Sequence, residues 1–137
     1  MRGFDLVDEK AARRILEELN RTRDVTQFAS NFTEDAVYVN PVTGTTDKKG
    51  MVGFHAGLFQ AFPDMNYRVD RTIVQGDAVV AETTVTGTQR GDFAGVPATG
   101  KSVTLPIAFV MVFQANKVKE WRAYFDSATM MRQLGQS

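Results

Sequence analysis

Cysteine is absent from this chain, and histidine occurs once, at His55. Without cysteine, the chain has no disulfide, no thiol nucleophile and no thiolate ligand for a metal. A single histidine excludes a metal site built from several imidazoles, and no convergent set of carboxylates is visible in the sequence to replace one. We therefore expect neither a metal nor a cofactor.

An excess of charge of either sign is also missing, because 16 Lys and Arg residues balance 16 Asp and Glu residues. Nucleic-acid-binding proteins usually carry a basic excess, so we expect no nucleic-acid partner. No apolar run is long enough to span a membrane, and the first residues, MRGFDLVDEKAARR, lack the apolar core of a signal peptide. We therefore expect no membrane partner and a cytoplasmic location.

Hydrophobic residues make up 43% of the 137 residues, which suits one domain with a buried core. We expect a single domain over residues 1–137. Apolar residues at helical spacing predict three helices, over residues 8–20, 48–61 and 127–134. Asp24 followed by Gln27 predicts an N-capped short helix that carries Phe28 and Phe32.

Alternation of apolar and polar residues predicts strands over residues 36–40, 67–74, 78–88, 101–113 and 118–125. The segment PVTGTT after Asn40 is expected to be a loop, and Gln75-Gly76-Asp77 is typical of a hairpin turn. The glycine-rich segment 89–100 is a candidate lid, because glycines permit hinge motion.

The segment 105–113 is apolar on both faces of its predicted strand, with Phe109 and Met111 on one face and Val110 and Val112 on the other. A strand of a small antiparallel sheet normally keeps one polar, solvated face. We expect the outer face to form a homodimer interface. The alternative is that the N-terminal helix of the same chain covers it.

Three stretches of sequence carry a family resemblance: AFPDM, GTQRGDFAGVPATGK and the run from Gly95 to Gly135. Their order resembles the SnoaL-like branch of the NTF2-like superfamily. The resemblance implies an α+β fold in which a cone-shaped, curved antiparallel sheet packs with N-terminal helices around one apolar pocket. It leaves several activities open, because this superfamily includes cyclases, isomerases, epoxide hydrolases and non-catalytic binders.

The resemblance also implies which strand face lines the pocket, and the predicted helix over residues 48–61 covers it. Such an apolar pocket with few polar groups suits a small hydrophobic ring compound. The candidate ligand-binding residues are Asn40, Phe54, Leu58, Thr83, Val85, Ile107, Phe109, Trp121, Ala123 and Phe125.

Three residues are candidate catalytic groups: His55, Asp126 and Tyr38. His55 is the one side chain here that normally titrates near neutral pH, although a core histidine bonded to a backbone carbonyl or to Tyr38 is an alternative. Asp126 precedes the last helix, so it is either an acid–base group or the N-cap of that helix. Tyr38 and Asn40 either bind a ligand or water, or satisfy only each other.

The segments AVYVNP, VVAET and PATGKS resemble limonene epoxide hydrolases, and Tyr38 and Asn40 match the water-positioning residues of those enzymes. Of their charged Asp-Arg-Asp set, the Arg corresponds to Thr83, the first Asp to Val85 and the second Asp to Ala123, so all three charged groups are absent here. The chain resembles ketosteroid isomerases more weakly. The catalytic Asp of those enzymes corresponds to Asn40, whose amide cannot accept a proton at neutral pH. The acid–base Asp of SnoaL-type cyclases falls at Ala123 or Asp126.

These comparisons make polyketide-cyclase-type acid–base chemistry on a hydrophobic ring-forming substrate the leading hypothesis. One alternative is a non-catalytic protein that binds a hydrophobic ligand. A second alternative is an enzyme similar to epoxide hydrolases or ketosteroid isomerases with an altered catalytic set.

Overall fold

The computed structural model describes the backbone of residues 3–136 and the side chains of residues 8–136. Four helices and six strands occur in this part of the chain. Their order is α1 (Gly3–Arg21), α2 (Val25–Ala29), β1 (Phe32–Asn40), β2 (Gly44–Asp47), α3 (Lys48–Ala61), β3 (Asn66–Gln75), β4 (Ala78–Thr88), β5 (Ser102–Gln114), β6 (Lys117–Tyr124) and α4 (Ser127–Gln133).

The strands form one curved, unclosed sheet in the order β2-β1-β6-β5-β4-β3. Every neighbouring pair is antiparallel except β1 and β6, which run parallel. Register shifts interrupt the pairing of β3 with β4 between Val69 and Arg71, and of β5 with β6 between Val112 and Phe113. Such bulges bend strands and increase their twist. The α+β class expected from the sequence is confirmed.

Two local predictions differ from the structure near β1. Asp24 caps α2 as expected, since its carboxylate accepts the N–H groups of Thr26 and Gln27, but the helix ends at Ala29 and Phe32 begins β1 instead. The predicted loop after Asn40 contains strand β2. The Asn40 side-chain oxygen accepts the N–H groups of Val42 and Thr43, each at 2.7 Å, and so closes a tight turn between the two strands.

Helix α1 packs on the inner, concave face of the sheet. Ala12, Ile15 and Leu16 bury its apolar stripe, and Arg13 donates a hydrogen bond to Thr72 of β3. Thr72 pairs with the buried Ala81, whose own partner across the sheet is Phe109. Since side chains alternate along a strand, α1 covers the Phe109 face and leaves the Val110 face bare. The alternative in which the N-terminal helix covers the outer face is therefore wrong.

The loop 89–100 closes one end of the inner face and is tied down by Gln89, which is fully buried. The Gln89 side chain donates to the Val96 carbonyl at 2.9 Å and accepts from the Thr99 hydroxyl at 2.8 Å. Phe93 of this loop packs against Phe54 and Phe62, with ring centroids 6.0 and 5.4 Å apart. The segment predicted to be a lid is thus fixed in place by these hydrogen bonds and ring contacts.

We expect Gln89→Leu to lower the free energy of unfolding by about 2–3 kcal/mol, because it leaves the Val96 carbonyl and the Thr99 groups without their partner. Urea denaturation monitored by circular dichroism measures the change. The matched control is Gln60→Leu at an exposed position of α3, which should change stability by no more than about 0.5 kcal/mol. Equal stabilities of the two variants would show that the Gln89 bonds contribute little.

Candidate functional site

A cavity lies between α3, the loop 89–100, α4 and the inner face of the sheet. The volume of this cavity is about 60 Å³. That is below the ~150 Å³ of an engineered cavity that binds benzene. A ring-sized ligand must therefore extend into the mouth or displace lining side chains.

Apolar side chains dominate the lining, and among the described residues it contains no Asp, Glu, Lys or Arg. Its polar members are one histidine, two tyrosines and one asparagine. The lining residues are Tyr38, Asn40, Phe54, His55, Leu58, Phe62, Met65, Tyr67, Val85, Phe93, Val103, Leu105, Ile107, Phe109, Ala123, Phe125 and Met130.

His55 lies on the buried side of α3, 4% exposed, with Tyr38, Phe54 and Phe59 around its ring. Its Nδ1 is 2.9 Å from the Met51 carbonyl oxygen. Because a carbonyl only accepts, we assign the proton to Nδ1, which leaves the lone pair on Nε2. Burial lowers the pKa of His55 to about 4, against a smaller opposing effect of the Met51 hydrogen bond. The imidazole is therefore uncharged at neutral pH and able to accept a proton.

Tyr38 and Asn40 form a bonded pair at the end of β1. Asn40 Nδ2 donates to the Tyr38 hydroxyl at 2.8 Å, while Asn40 Oδ1 serves the turn at Val42 and Thr43. The Tyr38 hydroxyl thus accepts one bond and retains its own hydrogen to donate. Burial raises the pKa of Tyr38, with a smaller opposing effect of the Asn40 bond, so the hydroxyl stays protonated. The pair leaves one donor available.

Most candidate site residues lie together in the cavity lining, and three do not. Thr83 lies on the inner face but outside the lining, and its hydroxyl donates to the Ile107 carbonyl at 2.9 Å. Trp121 is also outside the lining, 1% exposed, with its ring centroid 5.3 Å from that of Phe109. Strand alternation correctly predicts that both side chains are on the inner face, but it does not predict whether an inner-face side chain reaches the cavity.

Asp126 is the third residue outside the cavity, and its proposed acid–base role is corrected. It is exposed and caps α4, accepting the N–H groups of Ala128 at 3.0 Å and Thr129 at 3.3 Å and the Thr129 hydroxyl at 2.9 Å. The bonds from Thr129 are the main cause that lowers the pKa of Asp126. An acid–base carboxyl group would instead need apolar surroundings that raise its pKa towards neutral pH.

Tyr67 is the polar lining residue that the sequence did not bring to attention. It is 5% exposed, and its ring lies against Phe109 with centroids 6.1 Å apart. Asn20 of α1 fixes its backbone, accepting the Tyr67 N–H at 2.7 Å and donating to the Tyr67 carbonyl at 2.8 Å. Alternation along β3 was the available signal, but the contact joins residues 47 positions apart, which local patterns do not specify.

The structure also bears on metal ligands and membrane spans. Among the side chains described, residues 8–136, no three of His, Cys, Asp or Glu converge as metal ligands would. In the part of the chain that the structure describes, no helix has both the length and the apolar character needed to cross a bilayer.

The burial of His55 makes stability depend on pH. Unfolded histidine has a pKa near 6.5 and the folded residue one of about 4, so unfolding takes up a proton between these values. The stabilisation is fully present above pH 6.5 and is lost as pH falls towards 4, by roughly 3 kcal/mol in all. We expect His55→Asn, which does not titrate, to lack this loss. Urea denaturation at pH 7, 5.5 and 4 measures it, and parallel stability profiles for the two proteins would contradict it.

Comparison with known proteins agrees with the geometry. The family model for SnoaL-like polyketide cyclases matches residues 10–134. A search of curated protein sequences finds no significant match.

Solved structures of similar fold include a proposed SnoaL-like polyketide cyclase from Jannaschia sp. CCS1, with 22% identity, a TM-score of 0.90, and 100% of this chain and 97% of that chain covered. IdmH, a proposed polyketide cyclase from Streptomyces antibioticus, has 25% identity and a TM-score of 0.79, with 93% and 98% covered. A protein of ketosteroid isomerase-like fold from Catenulispora acidiphila DSM 44928 has 17% identity and a TM-score of 0.70, with 83% and 84% covered. The chain belongs to the SnoaL-like polyketide cyclase family.

Proposed function

We propose that this SnoaL-like domain binds a small, uncharged ring-forming compound in its cavity and performs polyketide-cyclase-type acid–base chemistry on it. One observation carries the proposal: a neutral histidine, with its Nε2 lone pair unused by the Met51 bond, lines a cavity without ionised side chains. The domain would act without a cofactor, and we place it in the cytoplasm.

The reaction that fits these groups is an intramolecular aldol closure. His55 Nε2 removes a proton from a carbon next to a carbonyl, and the electron pair of the C–H bond forms an enolate. The Tyr38 hydroxyl donates to the enolate oxygen, as preorganised donors do in other enzymes. The enolate carbon then attacks a second carbonyl of the same molecule, a C–C bond forms, and the imidazolium returns its proton to the new alkoxide. Atoms and electrons balance without a co-reactant.

The low pKa of His55 limits which protons can be removed. A base with a pKa of about 4 is weak at neutral pH, where general bases work best with a pKa near the working pH. A carbon flanked by two carbonyls is far more acidic than one beside a single carbonyl, and polyketide chains contain such carbons. The substrate we propose is therefore a 1,3-dicarbonyl compound.

A second candidate function is non-catalytic binding of a hydrophobic ligand. The same lack of carboxylates in the lining favours it, because the remaining base is weak. Chemistry similar to epoxide hydrolases or ketosteroid isomerases has less support. At the positions of their charged groups, Asn40, Val85 and Ala123 line the cavity without charge, and Thr83 is bonded to a backbone carbonyl.

The functional test compares His55→Asn with Asp126→Asn on a panel of aromatic 1,3-dicarbonyl compounds. A ligand that binds only the folded state stabilises it by about 2.7 kcal/mol when its concentration is 100 times Kd, and so raises the melting temperature. Where turnover occurs, we expect His55→Asn to lower kcat about 100-fold or more. Asp126→Asn should retain activity, because Asn also caps helices. Loss of turnover in Asp126→Asn alone would contradict the proposal, and binding without turnover would favour the second candidate.

We also propose that the protein is a homodimer through the outer face of the sheet. An apolar row crosses this face from Ile73 of β3 through Val80 to Val110, and Ile73 is 48% exposed. Nearby charges are already paired within the chain, as in the contact of Arg71 with Glu82 at 2.6 Å. A two-fold arrangement would place identical apolar rows against each other without leaving an unpaired charge.

Light scattering at micromolar concentration should give twice the 15.2 kDa mass of one chain. Val110→Glu should give the monomer mass, because it would bury a carboxylate at the centre of the interface. The control is Val42→Glu, which adds the same charge at an exposed position in the turn between β1 and β2. A monomeric wild-type protein would refute the interface.

A further inference from the structure

We propose that the hydroxyl of Tyr67 is a ligand contact, and that it donates a hydrogen bond to a carbonyl oxygen of the bound molecule. The inference rests on the proposed function and adds a polar anchor on β3, whereas His55 and Tyr38 lie on α3 and β1. It assigns the ligand class as an uncharged ring compound that carries an acceptor oxygen.

The first argument is the lack of an internal partner for this hydroxyl. The backbone of Tyr67 is bonded twice to Asn20 and its ring packs on Phe109, but no described residue bonds to the hydroxyl oxygen. Buried polar groups are nearly always paired, and a hydroxyl that faces a cavity obtains its partner from water or a ligand. Asn20 binds both backbone groups of Tyr67 and Phe109 packs against its ring, so binding a ligand costs little additional conformational entropy of this residue.

The second argument is the polarity of the cavity. Burial, followed by the nearby Tyr38, raises the pKa of Tyr67, and the charge of Arg23 opposes this more weakly. The hydroxyl is therefore a donor at neutral pH. His55 Nε2 offers only a lone pair, so the cavity presents a donor at Tyr67 and an acceptor at His55.

A ligand that complements both groups has an acceptor oxygen near Tyr67 and a removable hydrogen near His55. Arg23 lies close enough for its charge to act on Tyr67, and it donates to the carbonyls of Leu19 and Met65. Its positive charge favours negative charge on an oxygen bound at Tyr67. In the proposed ring closure, Tyr67 would thus hold the second carbonyl, whose oxygen becomes the alkoxide.

The test uses two probes of nearly equal shape, acetophenone and α-methylstyrene, in which a carbonyl oxygen is replaced by a methylene group. Binding of each to the wild-type protein and to Tyr67→Phe is measured by titration calorimetry. We expect Tyr67→Phe to weaken acetophenone about fivefold and to leave α-methylstyrene unchanged, as expected for one hydrogen bond. The infrared C=O stretch of bound acetophenone should shift to higher frequency in the variant.

Tyr124→Phe is the matched control, because Tyr124 is 54% exposed on the opposite face of the sheet and should affect neither probe. Tyr67→Phe removes a hydroxyl without a protein partner, so its melting temperature should equal or exceed that of wild type. Equal affinity of the wild-type protein for both probes, with no effect of Tyr67→Phe, would overturn the Tyr67 contact and leave the apolar cavity intact. If neither probe binds the wild-type protein, both the contact and the small-molecule function fail.

Discussion

The packing of helices onto one face only of the curved sheet is the constraint on which the rest of this structure depends. α1 fills the concave face over β3 and β4, and α3 covers the part next to β1. Where these helices and the loop 89–100 do not meet, an apolar cavity remains. Because the chain places both long helices on the concave side, the convex side has none to cover its apolar row. One packing choice thus produces both the cavity and the bare face.

The same packing determines the chemistry that the cavity offers. Carboxylates and cations are costly to bury without partners, and this lining contains none among the described residues. The groups that remain keep their neutral forms, since burial lowers the pKa of His55 and raises that of Tyr38 and Tyr67. Such a site distinguishes ligands by hydrogen-bond donors and acceptors and not by charge. It differs in this respect from the Asp-Arg-Asp set to which Thr83, Val85 and Ala123 correspond.

Much of the fold could be predicted from the periodicity of apolar residues in the sequence. Alternation predicted both ends of β4, and the apolar stripe predicted both ends of α3. Strand β2 was missed because Gly44–Asp47 has almost no apolar content, and its pairing depends on the Asn40 turn.

The site was predicted less completely, and Asp126, Trp121 and Tyr67 show why. Asp126 lies at the junction of β6 and α4, where a cap and an inward carboxylate have the same local sequence, and the geometry of the bonds to α4 selects the cap. Trp121 has the predicted face but lies beside the cavity lining, packed against Phe109. The position of Tyr67 depends on its hydrogen bonds to Asn20, which join residues 47 positions apart. Local patterns predict faces, whereas depth and long-range bonds come from packing.

The position of Trp121 has an optical consequence. It is the single tryptophan of the chain, it is buried, and its indole N–H has no hydrogen-bond partner in the described structure. Its ring packs against Phe109, which lines the cavity, with centroids 5.3 Å apart. Indole emission depends on the polarity and packing of its surroundings, so a molecule that moves Phe109 would alter the fluorescence of one defined site. The protein thus contains its own unlabelled reporter of cavity occupancy, in contact with a residue that lines the cavity.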